Sequence, residues 1–165
     1  MSKKDKIVII IGIILILLFS ISTFLYNRSI KRISKNININ INSCDIETES
    51  NTHGGFLGDG EFFAKLTCDK IDEEIIKKEW KLLPLPTELQ QALDIKQCSG
   101  DGCFNAFKRY NIPSDIDGYY YFIDRHSLSN DKSDYTLINE RSSYNFSLGI
   151  YDTSNKTLYY YELDT

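Results

Sequence analysis

Ser143–Leu163 reads SYNFSLGIYDTSNKTLYYYEL. In its first half Tyr144, Phe146, Leu148 and Ile150 alternate with smaller or polar residues. Successive strand side chains point to opposite sides, so these four share one face of a strand over Ser143–Tyr151. Asp152–Lys156, DTSNK, is turn chemistry, and Thr157–Leu163 returns as a closing strand. A lone hairpin is marginal in water, so the flanking chain must supply further strands. Tyr119–Arg125 is apolar on both faces and suits a central strand covered on both sides or flanked by an aromatic surface. Glu61–Cys68 reads as another strand. Ile37, Ile39 and Ile41 alternate with asparagines, which predicts a first strand reaching about Ile46, followed by a Glu47–Gly60 loop. Between the two strand groups, Asp72–Leu82 carries Ile71, Ile75, Ile76, Trp80 and Leu83 on one helical face, with Pro84 as its stop. Thr87–Gln90 has the form of a capping box opening a second helix to about Ile95, and Phe104–Tyr110 suggests a short third. The order predicts an α+β domain: an antiparallel sheet of about five strands with two or three helices packed on one face.

Upstream of this domain, Ile7–Tyr26 is an uncharged run, IVIIIGIILILLFSISTFLY. At a rise of about 1.5 Å per residue, ~20 helical residues cross the roughly 30 Å hydrocarbon core of a bilayer. A cleavable signal peptide has a shorter apolar region and a small-x-small cleavage site, and Ser22–Asn27 offers none. The expectation is an uncleaved signal anchor: a cytoplasmic tail 1–6, a span 7–26, a basic stalk 27–36 that frays, and a domain 37–165. Lys3, Lys4 and Lys6 precede the span, and Arg28, Lys31, Arg32 and Lys35 follow it. That tally does not set the orientation. A domain of this size translocates largely regardless of charge, and the cysteines fit export, so the domain is placed outside the cytoplasm.

Charge is segregated along the chain. Residues 1–36 carry +6 and residues 37–165 carry −10, within a whole-chain charge of −4. A domain of −10 lacks the basic footprint that phosphate contacts require, so nucleic acid is excluded as a partner. The four basic stalk residues are expected among lipid head groups, worth about 1 kcal/mol each on an anionic membrane. Cys44, Cys68, Cys98 and Cys103 all follow the span. Two disulfides, with Cys98 and Cys103 closing the Ser-Gly-Asp-Gly stretch and Cys44 facing Cys68 across strands, compete with four reduced thiols. Zinc would need pairs spaced by two to four residues, and only one pair comes close.

His53-Gly-Gly-Phe-Leu-Gly-Asp-Gly-Glu61 is the strongest local oddity. It gathers His53, Asp59 and Glu61 around glycines that let backbone amides approach a ligand. His-Gly-Gly has the form of an esterase oxyanion loop, but no Gly-x-Ser-x-Gly elbow accompanies it. A metal would recruit His53, Asp59, Glu61 and His126, in a spacing of no established type. The competing reading is a tight turn, for which Asp59-Gly60 is a strong signal. No cofactor is expected. Ten of eleven tyrosines follow residue 109. Consecutive tyrosines cannot all face one core, so Tyr119, Tyr121, Tyr159 and Tyr161 are candidates for an exposed recognition surface, or else they carpet the helix–sheet interface. Cys98–Cys103 has no base to make a reactive thiolate, and Asn130–Asp134 lacks the glycine and closing Glu of a calcium loop.

The stretches Asn51-Thr-His-Gly-Gly-Phe56, Trp80-Lys-Leu-Leu-Pro-Leu-Pro86, Arg141-Ser-Ser-Tyr-Asn-Phe146 and Leu158–Thr165 together resemble an uncharacterised family of small single-span, membrane-anchored bacterial proteins. That resemblance implies an anchored domain and no particular activity. The expectation is therefore an extracytoplasmic module binding a protein or cell-envelope component through the tyrosine-rich sheet or the His53–Glu61 loop. The alternative is a cell-envelope hydrolase using that loop, with or without a metal. Convergence of His53, Asp59, Glu61 and His126 in one cleft would favour the enzyme.

Overall fold

The computed structural model describes residues 2–54, 58–94, 97–99, 102–127 and 129–165, with side chains described outside positions 3, 97–99 and 102–104. Helix α1 runs unbroken from Lys3 to Asn36, opened by a capping box between Ser2 and Asp5. It is long and apolar enough to cross a bilayer, and the side chains of its apolar window stand clear of the rest of the chain. Beyond that window the helix does not fray. Ile30 and Ile33, with Ile37 at its C-cap, follow the i, i+3, i+7 spacing of one helical stripe and are buried against the sheet. Arg32, expected among head groups, turns instead to the carboxylate of Glu162 and lies 4.7 Å above the Phe62 ring.

The strand expected over Ile37–Ile46 is not formed. Asn38 takes φ 53°, a left-handed residue at the end of the helix that Asn tolerates. Ile37, Ile39 and Ile41 then plug the sheet face from a turn. Strand β1 (Asp45–Asn51) begins later and occupies the stretch expected to be loop. It pairs with β2 (Gly60–Thr67), with a register break between Ile46 and Thr48.

Next come α2 (Glu73–Glu79), the two-residue strand β3 (Lys81–Leu82) and α3 (Thr87–Leu93). The small hairpin β4 (Gln97–Ser99) and β5 (Gly102–Phe104), α4 (Ala106–Arg109) and β6 (Gly118–Asp124) follow. A 3₁₀ turn at Ile138–Glu140 precedes the closing strands β7 (Asn145–Asp152) and β8 (Thr157–Asp164). The main sheet has six strands, not five, in the order β1-β2-β8-β7-β6-β3 with every pair antiparallel. Asp72 caps α2 as an Asx residue. The helix stops before Trp80, so β3 rather than Pro84 follows its end. The capping box at Thr87 does not form: Pro86 is the N-cap and Gln90 Nε2 donates to the Leu85 carbonyl at 2.6 Å.

Period-two alternation sorts the sheet into two buried faces, each with its own core. The first face carries Phe62, Ala64, Leu66, Tyr151, Leu158 and Tyr160, covered by the end of α1, by α2 and by Trp80. At Gly149 an added Cβ would lie 3.0 Å from the Trp80 ring and 3.1 Å from Ile37, so a bare backbone lets both pack there. The second face carries Phe63, Tyr120, Phe122, Phe146, Leu148, Ile150, Tyr159 and Tyr161, covered by α3, α4 and the 3₁₀ turn. Helices therefore flank both faces, a correction to the one-sided arrangement expected. The cause is visible in β7 and β8, where almost every residue is buried and neither face is left for solvent.

A disulfide joins Cys44 to Cys68 across the ends of β1 and β2, closing a separation of 24 residues. In the chain-entropy account a loop of that size contributes about 3 kcal/mol. Replacing both cysteines by serine is expected to lower the unfolding free energy by about that amount, read from denaturant melts; an unchanged free energy would show the bond to be dispensable. Cys98 and Cys103 are opposite one another in the backbone register of β4–β5, and their side chains lie outside the described residues.

Candidate functional site

On the second face, two segments wall a cleft of about 860 Å³. One wall is Leu83–Leu85 backed by α3; the other is α4 continued by Asn111–Ile116, with Ile150 of β7 in the lining. Short-range chemistry builds these walls. Asn105 caps α4 by accepting from the Lys108 amide at 2.9 Å, and its Nδ2 donates to Asp94 Oδ1 at 2.7 Å, tying the ends of α3 and α4 together. Asn111 leaves α4 through φ 51°, and the Ile112 amide returns to the Phe107 carbonyl at 2.9 Å. The lining mixes aliphatic, aromatic and prolyl residues with Gln90, Asp94, Asn105, Lys108, Asn111, Ser114 and Asp115 as its polar members. The volume falls within the ~300–1,000 Å³ of ligand sites.

Glu61 holds this wall to the sheet. Its carboxylate is 2 % exposed, too buried to stay charged without partners. Oε2 accepts from the Tyr110 hydroxyl at 2.6 Å and from Arg109 Nη1 at 3.0 Å, and Oε1 accepts from the Tyr161 hydroxyl at 3.1 Å. The Tyr110 ring stacks on Phe63 with centroids 4.2 Å apart. The carboxylate singled out in the sequence is thus a clamp on the C-terminal end of α4, on the opposite sheet face from His53's partner Asp164.

Burial, then the Glu61 hydrogen bond, pushes the Tyr110 phenol up to about 12. Burial does the same for Tyr120, to about 12, and raises Tyr151, Tyr160 and Tyr161 as well. A raised phenol means the fold favours the neutral form. The stabilisation is complete below the unfolded value of 10.0 and drains away as pH climbs from there through about 12, because the unfolded chain ionises first. The tyrosinate absorbance of these five rings is expected to appear late and together with loss of tertiary circular dichroism. Titration near the ordinary value with the fold intact would contradict the packing of these rings.

A second polar cluster lies on the first face, at the far end of the sheet from the disulfide. His53 Nε2 is 2.9 Å from Asp164 Oδ2 and Nδ1 is 2.9 Å from Asn51 Oδ1. Both ring nitrogens therefore face oxygen acceptors, and neither is directed at a free site. Arg125 pairs with Asp164, contacts Ser147 and reaches Glu162 Oε1 at 3.3 Å. Asn36 donates to the same oxygen at 2.6 Å and to the Tyr160 hydroxyl at 2.8 Å. A continuous polar chain thus leads from α1 to the His53 loop.

The other residues expected at a site are dispersed. Asp59 is exposed and its carbonyl closes the loop by accepting from the Gly54 amide at 3.3 Å; residues 55–57 of the His-Gly-Gly loop lie outside the described residues. His126 is exposed, and its backbone amide donates to Asp124 Oδ1 at 2.9 Å. No group of three or more His, Cys, Asp or Glu suited to a metal occurs among the described residues. Nor do the tyrosines form an exposed face. Tyr159 and Tyr161 are buried in the second core, Tyr119 and Tyr121 are half-buried against the first, and the Tyr121 ring is 5.7 Å from Trp80. Sequence reading missed Arg109, Tyr110, Arg125 and Asp164. The Arg-Tyr pair on a short helix beside an apolar stretch was the only local signal for any of them. The chain matches no protein-family model, no curated protein and no solved structure.

Proposed function

We propose that the protein is a membrane-anchored binding module whose domain sits outside the cytoplasm and takes its ligand in the cleft between α3 and α4. The observation carrying this reading is the cleft itself: a ligand-sized space lined by both apolar and polar side chains, with one wall clamped to the sheet by Glu61. Its placement outside the cytoplasm is supported by the Cys44–Cys68 disulfide, a bond that persists in oxidising compartments. The apolar run of α1 supports the anchor. The hydrolase alternative has less behind it, since His53, Asp59, Glu61 and His126 share no side-chain contact among the described residues and Glu61 is consumed by Arg109, Tyr110 and Tyr161.

Two measurements test the proposal. Intact cells are treated with a membrane-impermeant thiol reagent before and after external reduction; labelling only after reduction supports export, and labelling only after lysis overturns it. For the cleft, the methyl-labelled full chain in nanodiscs is titrated with isobutanol as a neutral apolar probe. Shifts concentrated at Leu83, Leu85, Ile112, Ile116 and Ile150 are expected, and shifts absent from those methyls would remove the cleft as a binding site.

A further inference from the structure

The cleft has a charge pattern as well as an apolar lining. Among the described residues its charged members are Asp94, Asp115 and Lys108, two carboxylates against one ammonium. Asp94 is the C-cap of α3, a helix whose last turn holds no basic residue. The negative end of the helix dipole is therefore reinforced by a carboxylate where a cation would be favoured. Asp94 Oδ1 accepts from Asn105 Nδ2 at 2.7 Å, which fixes the carboxylate's position in the lining. Asp115 is exposed and its carboxylate has no side-chain partner among the described residues. Residues 37–165 as a whole carry −10, a net charge that favours cationic partners over anionic ones.

We propose that the cleft takes a cationic, apolar peptide segment of a protein partner, its apolar side chains against Leu83, Leu85, Ile112, Ile116 and Ile150 and a Lys or Arg at the rim carboxylates Asp94 and Asp115. This rests on the cleft being the binding site. Asp94 stands on the α3 wall, and Lys108 and Asp115 stand on the wall built by α4 and the segment after it. Apolar contact supplies affinity and the rim carboxylates supply sign selectivity.

The test uses the full chain in uncharged phosphatidylcholine nanodiscs, titrated with short labelled peptides of alternating Leu-Lys, Leu-Ser and Leu-Glu. The Leu-Lys peptide is expected to bind at least about tenfold more tightly than Leu-Glu, with an advantage that shrinks as salt is raised. The double variant Asp94→Lys, Asp115→Lys should reverse that order; Asp115→Asn alone, which leaves the Asn105 contact untouched, should weaken Leu-Lys by roughly threefold. Equal binding of all three peptides, with methyl shifts at Ile116 and Ile150, would overturn the charge selectivity and leave the cleft standing. Absence of shifts with every peptide would overturn the cleft reading itself.

Discussion

A chain beginning at Ile37 is expected not to fold cooperatively, whereas a chain beginning at Asn27, freed of the apolar run, is expected to keep its tertiary structure. The shorter chain loses Ile30 and Ile33, both buried in the first core. Burial of such side chains is worth about 1.5–3 kcal/mol each. It also loses Arg32 and Asn36, two of the groups that satisfy the buried Glu162. Those losses together rival the ~5–15 kcal/mol that holds a typical domain folded. In the full chain Ile33→Asp should act the same way, by placing a charge at a fully buried position. Thermal melts followed by near-ultraviolet circular dichroism separate the cases. Equal melting of the two truncated chains would mean that the last turns of α1 merely rest on the domain.

Glu162→Ala is the second large effect. The carboxylate is 2 % exposed and faces Arg32 on one side and Arg125, Asn36 and Ser147 on the other. Removing one partner from a buried ionic cluster costs up to about 3–5 kcal/mol, with the upper end reduced here because Arg32 is partly exposed and Arg125 keeps Asp164. For a domain of this size that is a fall in melting temperature of roughly 10–20 °C. The control is the double variant Arg32→Leu, Glu162→Leu, which removes charge from both sides and is expected to be less harmful than Glu162→Ala alone. A double variant at least as destabilised as the single one would show that α1 is not held through this pair. Loss of Glu162 should also loosen the His53 loop, since Arg125 links Glu162 to Asp164.

The strands that the sequence exposed most clearly are those whose alternation or apolar content is set by two covered faces. Glu61–Cys68, Tyr119–Arg125 and the Ser143–Leu163 hairpin match β2, β6, β7 and β8 within a residue or two. Ile37–Ile41 misled because its alternation serves a turn in which three isoleucines reach one sheet face from irregular backbone. β1, DIETESN, escaped notice for the opposite reason: it is an edge strand, and edges carry charge rather than a hydrophobic pattern. The apolar character of Tyr119–Arg125 on both faces already pointed to cover on both sides, yet nothing local says which helix lies over which face. The cleft was hidden for a related reason. Its walls come from residues 83–94 and 105–116, and the residues that clamp one wall to Glu61 are 48, 49 and 100 positions away from it. Residue types at a site can be read from a sequence; their convergence depends on sheet order, which alternation does not specify.

The central claim is that α1 passes without a break from its apolar run into the core of the domain. Hydrogen exchange of the full chain in nanodiscs addresses it directly. Amides from Asn27 to Asn36 should be protected as strongly as those of β7 and β8, with no step between the apolar run and the packed part of the helix. Rapid exchange across residues 27–31, with slow exchange on either side, would contradict it and make the helix a flexible tether.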